Sequence, residues 1–352
     1  MAEHPAATVG ILGGGQLALM LAGAAARIGV RVHVYSPSGT TEGCPADETT
    51  IAPYDDESTL IGFAQSVDVV TFETENLPLD SVRAIADHVR VAPNPETLRI
   101  AQDRLFEKDF VTALGIATTP YLNVDSPRAL ADAVSALGTP AMLKTRRLGY
   151  DGRGQVRIDT PSGARQGWET LKELPCILEG FVALEREFSL VTARSGDGRI
   201  VPFDLAENVH VDGILHTSRV PADLPAPVCA QAQEIGVCIL EALDYVGILG
   251  IEFFLGPDGL MINELAPRVH NTGHWTQNAC VVDQFEQHIR AITGRPLGDG
   301  KRHVDVVMTN LLGDSILKVD QLIEDPSISL HLYGKGEAWP GRKMGHYNQV
   351  QR

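Results

Sequence analysis

Two carboxylates stand where buried strands should carry none. Glu252 and Glu264 each interrupt an apolar run, Ile248–Leu255 and Leu260–Leu265, and the two runs flank Gly256-Pro257-Asp258-Gly259. That tetrapeptide is a hairpin signal, because proline fixes φ and glycine reaches positive φ without strain. Register then decides the chemistry. A turn with an odd number of residues, such as Pro257-Asp258-Gly259, sets Glu252 directly opposite Glu264, and a hard divalent cation turns their repulsion into binding. A two-residue turn sets Asn263 opposite Glu252 instead, a weaker site that is still rich in oxygen. The plain alternative is that both carboxylates face water on the open side of an antiparallel sheet.

Two basic clusters and one donor-rich turn complete the inventory. Beyond Glu264, Pro267-Arg268-Val269-His270-Asn271-Thr272-Gly273-His274 gathers cationic, amide and hydroxyl groups, the donors that a reacting anion needs. After the apolar strand Pro140–Leu143, the stretch Lys144 to Gln155 carries Lys144, Arg146, Arg147 and Arg153 among Gly149, Gly152 and Gly154. This is a local positive site in a chain of formal charge −16. Its glycines let the backbone close over an anion and hinge at both ends, although a hairpin tip that is merely solvated has the same composition. No GK[ST] opens a helix there, so it is not a Walker A loop. Near the end, Pro340-Gly341-Arg342-Lys343-Met344-Gly345-His346 offers an arginine fork and a lysine for an oxyanion.

The elements that must position these groups begin with Thr8–Leu12, read as a buried strand, a Gly13-Gly14-Gly15-Gln16 loop, and a helix Leu17–Ile28 closed by Gly29. This is a Rossmann-like opening, whose helix N-terminus offers free amides to a phosphate or polar ligand. Gly13-x-Gly15-x-x-Ala18 fits the dinucleotide pattern, but strand Arg31–Tyr35 runs into Ser36-Pro37 rather than the acid that holds an NAD ribose. Strand Val67–Phe72 ends in Glu73-Thr74-Glu75-Asn76, at the edge where open α/β sheets bind ligands, or simply in a capping loop before helix Leu79–His88. Pro93-Asn94-Pro95 marks a linker. The helical stretch Pro95–Leu114 carries Asp103, Arg104 and Lys108 as ordinary solubilising charges. Glu185 and Glu187 alternate as on the wet face of an edge strand, and His210 reads as a lone structural histidine. Helices are expected at Gln231–Leu243 and Gln284–Thr293, and short strands at Asp305–Leu311 and Ser329–Leu332.

A length of 352 residues implies two or three domains. No apolar run approaches the ~18 residues of a membrane span, and Met1 to Ala7 lacks the regions of a secretory signal. A cytoplasmic protein without a membrane partner is therefore expected. The acidic balance argues against a nucleic-acid partner. Cys44, Cys176, Cys229, Cys238 and Cys280 are scattered singly, as reduced thiols rather than metal ligands.

Glu264 to Ala279, ELAPRVHNTGHWTQNA, resembles the signature of the N5-carboxyaminoimidazole ribonucleotide synthetase family, the ATP-grasp ligases of purine biosynthesis. The resemblance runs from about Val9 to His346 with its motifs in order. It implies an α/β and α+β architecture: a Rossmann-like pre-ATP-grasp domain at 1–95, an ATP-grasp region at 96–300 with mixed or antiparallel sheet and a lid at about 120–182, and a small C-terminal domain at 301–352. It implies ATP-dependent carboxylation of 5-aminoimidazole ribonucleotide with bicarbonate, through carboxyphosphate, with Mg²⁺ (Mn²⁺ as the alternative) held by Glu252, Glu264 and Asn263.

By the same resemblance, ATP lies against Arg104, Lys144, Gly149, Tyr150, Asp151, Gly152, Arg153, Gly154, Gln155, Glu179, Gly180, Phe181, Val182, Glu187, His210, Asn263 and Glu264. The ribonucleotide meets Gln16, Glu73, Tyr150, Asp151, Arg153, Arg342 and Lys343, while Lys144, Arg268, His270 and Asn271 serve catalysis. A homodimer is implied as well. Two features depart from the family: Trp339 stands where an arginine is common, and relatives usually continue past Arg352 through a helical stretch, with an expected cost in stability or dimer contacts. The rivals are another ATP-grasp ligase such as the formate-dependent transformylase or a biotin carboxylase, an NAD-dependent oxidoreductase, and a nucleotide-binding protein without turnover.

Overall fold

The computed structural model describes residues 7–149 and 152–351. Tyr150 and Asp151, expected at both nucleotides, lie outside the described residues.

The N-terminal sheet is parallel, in the order Glu48–Thr50, Arg31–Tyr35, Thr8–Leu12, Val69–Phe72. Past their first residue its inner strands are wholly buried, His33 included, because helices cover both faces. The short strand Glu48–Thr50 and helix Glu57–Gln65, capped by the Asp56 side chain, carry no strong periodic signal in the sequence. Helix Gln16–Arg27 buries Leu17, Ala18, Leu21 and Ala25. Its Arg27 pairs with Asp283 and Glu286 at the start of helix Gln284–Ile292, which ties this sheet to the central unit.

The lid is an antiparallel sheet, in the order Tyr121–Val124, Cys176–Gly180, Ala141–Thr145, Gln155–Ile158. Helices Pro127–Leu137 and Ala164–Thr170 pack on it around Leu130, Val134, Leu143, Trp168 and Leu178. Met142 pairs with Glu179 and Lys144 with Ile177, so Lys144 and Glu179 are diagonal neighbours.

The large sheet runs Gly259–Ala266, Gly247–Gly256, Arg186–Arg194, Ala206–Val211, Ile214–Val220, Asp305–Leu312, Lys343–Gln351, Ile328–Leu332, with Ile200–Pro202 beside Arg186–Arg194. Arg186–Arg194 is therefore an inner strand rather than the edge that its alternating acids suggested. The C-terminal strands continue this sheet through the pairing of Thr217 with Thr309 and Val220 with Val306. They are also bolted to the donor-rich turn. Asn348 Nδ2 donates to the His274 carbonyl at 3.0 Å, and the rings of His331, His346 and His274 pack in succession at 4.6 and 4.7 Å. Helix Ala226–Ala242 starts five residues before the apolar period that announced it.

Candidate active site

The hairpin takes a two-residue turn and still opposes its two acids. Gly256 pairs with Gly259 and Phe253 with Ile262, a register on which Asn263 should face Glu252. The ladder then shifts, and Glu252 pairs with Glu264. Asn263 is the extra residue of a β-bulge, so the consecutive side chains of Asn263 and Glu264 escape strand alternation and both line the same cleft. Asn263 Nδ2 donates to Glu252 Oε2 at 3.2 Å. The sequence offered these two partners for Glu252 as alternatives, and the bulge supplies both.

Electrostatics at this point favour a cation. Burial and the facing Glu264 push the Glu252 carboxyl up to about 7. Burial, helped by Arg268, brings His270 down to about 3, and its Nε2 lies 3.7 Å from Glu252 Oε1. Ligating atoms of Glu252, Glu264 and His270 lie within 4.8 Å of one another. Two acids driven together in a site with a neutral imidazole and an amide are an unfavourable arrangement that a divalent cation relieves, so the residues fit one. Arg104 Nη1 donates to Glu264 Oε2 at 3.2 Å and shares the same relief.

The cleft measures about 980 Å³. Four distant parts of the chain meet in it. Lys144, Gly149, Gly152, Arg153 and Gln155 arrive from the lid, while Arg104, Glu187, His210, Glu252, Asn263, Glu264, Arg268, His270 and Asn271 come from the central unit. Gln16 and Glu73 enter from the N-terminal sheet, and Arg342 and Lys343 from the C-terminal turn. His210 Nδ1 sits 2.7 Å from Glu187 Oε2. Gly154, Glu179, Gly180, Phe181 and Val182 are not part of its wall. Glu179 is 3% exposed, and Phe181 is half exposed with the Arg157 guanidinium 4.9 Å over its ring.

The donor-rich turn is held by one glutamine. Gln284 accepts from the His270 amide at 2.8 Å and donates to the His270 carbonyl at 2.7 Å, and His270 Nδ1 meets Thr272 Oγ1 at 2.8 Å. Gly250 faces this turn, where a Cβ would stand 2.7 Å from that of His270. Asn271 keeps both polar atoms of its amide buried without a partner among the described residues, on the cleft wall.

Two sequence expectations need correction. The free amides at the glycine loop are largely spoken for: Glu73 accepts from Gly15 N and, at 3.0 Å, from Ala18 N, so a carboxylate of the chain itself caps this helix. Burial raises the Glu73 carboxyl, and those amides with Arg268 oppose the rise. The helical stretch before the lid is not a solvated surface either. Asp103, Glu107 and Lys108 are buried, with Lys108 at 1% exposure.

Four residues escaped the sequence. Glu75 grips Arg268 in a fork at 2.5 and 3.1 Å. Burial would raise its carboxyl, but Arg268 carries it below its ordinary value. Its place in the loop with Glu73 was the available signal. Lys335, flanked by Gly334 and Gly336, donates to Gln16 Oε1 at 2.5 Å. Glu107 accepts from the Leu265 amide at 2.5 Å, next to Glu264, and Lys108 pairs with Glu179. Neither has a local signal, because a helical Glu-Lys step looks solvent-facing. Trp339 lies 3.8 Å from the Arg342 guanidinium, which stacks on its ring.

Known proteins match nearly the whole chain. The ribonucleotide synthetase pre-ATP-grasp domain matches residues 6–102, the ATP-grasp domain 109–285, and the phosphoribosylaminoimidazole carboxylase C-terminal domain 306–352. The N5-carboxyaminoimidazole ribonucleotide synthase of Brucella melitensis is 48% identical over 354 residues, covering 99% of this chain and 97% of that protein. That of Pseudomonas aeruginosa is 42% identical over 338 residues, covering 96% and 93%. Among solved structures, the ADP complex of an N5-carboxyaminoimidazole ribonucleotide synthetase superposes with a TM-score of 0.94 at 38% identity, over 99% of this chain and 93% of that one. An Aspergillus clavatus synthase in complex with ADP and 5-aminoimidazole ribonucleotide gives 0.91 at 28%, over 98% and 94%.

Proposed function

The chain belongs to the N5-carboxyaminoimidazole ribonucleotide synthetase family of ATP-grasp ligases, and we propose from that premise how its cleft carries out the reaction. ATP phosphorylates bicarbonate to carboxyphosphate with release of ADP. The exocyclic amine of 5-aminoimidazole ribonucleotide then takes up the carboxyl group, freeing phosphate and forming N5-carboxyaminoimidazole ribonucleotide for purine biosynthesis. The observation that carries this is the convergence of three separate basic or donor-rich stretches on one pair of opposed acids in a single cleft.

Lys144 and Arg104 take the nucleotide phosphates, with Gly149 to Gln155 closing over them and Glu187 and His210 at the ribose side. Backbone groups from Glu179 to Val182 take the adenine. Glu252, Glu264 and Asn263 would hold Mg²⁺, or Mn²⁺ in its place, which would supply charge neutralisation at the phosphates. Arg268 and the unpartnered amide of Asn271 orient bicarbonate beside His270. Arg342 and Lys343 take the 5′-phosphate of the ribonucleotide, Gln16 and Glu73 flank it, and Arg153 reaches it from the lid. Carboxyphosphate is labile, so the lid excludes water while it exists.

These roles divide among units at residues 1–95, 96–300 with a lid at about 120–182, and 301–352. No helix among the described residues is long and apolar enough to cross a membrane, which suits a cytoplasmic enzyme. The assembly is a homodimer, which light scattering tests.

The deciding assay is ADP release with Mg-ATP and bicarbonate, with and without 5-aminoimidazole ribonucleotide. Strong stimulation that needs both bicarbonate and the ribonucleotide is expected. Turnover with formate and glycinamide ribonucleotide instead would move the chain to a transformylase role, and no turnover with any acceptor would overturn the enzyme assignment.

A further inference from the structure

A buried cluster of three charges joins the lid to the helix before it. Lys144 Nζ donates to Glu179 Oε2 at 2.7 Å, both from neighbouring lid strands. From helix Arg104–Ala113, outside the lid, Lys108 Nζ lies 3.5 Å from Glu179 Oε1 and donates to Thr119 Oγ1 at 3.0 Å. Thr119 in turn donates to Glu179 Oε2 at 3.3 Å. The side chains of Lys108 and Glu179 are 2% and 3% exposed, and that of Lys144 is 11% exposed on the cleft wall. Burial would raise the Glu179 carboxyl, but Lys144 and Lys108 bring it down to about 2.

One buried carboxylate thus carries two lysines, and only one of them faces the cleft. If Lys144 were its only partner, moving that ammonium to a phosphate would strand a buried anion, which is among the most expensive events in a protein interior. With Lys108 in place, Glu179 keeps a counter-charge whichever way Lys144 turns. Burial lowers the Lys108 ammonium and Glu179 opposes that fall; with both lysines charged the three groups carry one net positive charge, which an incoming oligophosphate meets.

We infer that Lys108 is a positioning residue for nucleotide binding: by holding the charge of Glu179 it lets Lys144 leave that carboxylate for the nucleotide phosphates. The inference rests on the ATP-binding function proposed above and adds a residue that never touches the ligand.

The test is the affinity of wild type, Lys108→Met, and Lys108→Met combined with Glu179→Gln for ATP, ADP and adenosine, by calorimetry. In Lys108→Met, ATP and ADP bind about tenfold or more weakly, the size of one charge-assisted hydrogen bond, while adenosine changes little. The double variant, with no buried anion left to hold Lys144, regains ATP affinity. Equal loss for adenosine, or no rescue by Glu179→Gln, overturns the role of Lys108. If Lys108→Met does not fold, Glu179→Gln alone serves. Its ATP-to-adenosine affinity ratio is expected to equal or exceed that of wild type, and a fall overturns the inference. Failure of wild type to bind ATP at all would instead sink the functional proposal.

Discussion

Glu252 stands directly opposite Glu264 because Asn263, between Glu264 and the turn, is bulged out of the ladder. Without the bulge, two neighbours on one strand would point to opposite faces, and the cleft would hold one acid from this strand or one amide, not both. The bulge is thus what places three oxygen-bearing side chains together.

Glu264→Gln keeps the shape of the pair and removes one charge. Turnover should fall by about a hundredfold or more, because the phosphates lose the neutralisation this pair provides. The thermal midpoint should hold or rise, since like-charge repulsion is relieved. Activity at saturating Mg²⁺ and melting curves of the metal-free protein check the two halves, and an unchanged rate removes Glu264 from the proposed metal site.

Glu252 gives a pH dependence with a definite sign. Its carboxyl titrates near 7 in the fold, against about 4.3 for a free glutamate. The folded protein therefore binds the extra proton between these values. This contribution to stability is fully present below the unfolded pKa and is lost as pH rises through about 7. Glu107, pushed up to about 8 by burial and Glu264, acts in the same direction. Metal-free protein should lose thermal stability from pH 6 to pH 8, with a shallower slope in Glu252→Gln. Divalent-ion affinity should climb over the same interval, because binding expels the proton. Identical slopes for the variant and wild type would dispose of the assignment.

Glu75→Gln leaves Arg268 without its forked partner. The guanidinium is then free to swing, so the KM for bicarbonate should rise or kcat fall by roughly tenfold to a hundredfold, the usual penalty for losing a residue that orients an active-site group. ATP affinity should stay near wild type. Steady-state kinetics with bicarbonate varied, alongside nucleotide binding, separates the two. A parallel loss of ATP affinity would mean that Glu75 supports the whole cleft rather than Arg268.

Trp339→Ala removes the ring on which Arg342 lies. An exposed cation–π contact is worth about 0.5–1 kcal/mol, so the KM for the ribonucleotide should rise by roughly twofold to fivefold with kcat nearly unchanged. No change at all would remove the stacking on Trp339 from the account of ribonucleotide binding.

The sequence by itself determined the strongly apolar strands, the glycine loops and the order of the motifs, but not short or polar strands such as Glu48–Thr50 and Ala206–Val211, because apolar period, proline and glycine act over a few residues. Val9 to Leu12, the hairpin around Pro257-Asp258, and the clusters at Lys144–Gln155 and Arg342–Lys343 are local in this sense. Which groups share a partner was decided by tertiary structure. Arg268 meets Glu75 across 193 positions, Leu265 meets Glu107 across 158, and Lys335 meets Gln16 across 319. No local period encodes such contacts. Lys108 shows the limit most clearly: on its own helix it reads as a solvated charge, and only the packing of the lid against that helix buries it beside Glu179. The bulge at Asn263 belongs to the same class, since the two-residue turn alone sets a register in which Asn263 faces Glu252, and only the bulged pairing with the neighbouring strand shifts Glu264 into that place.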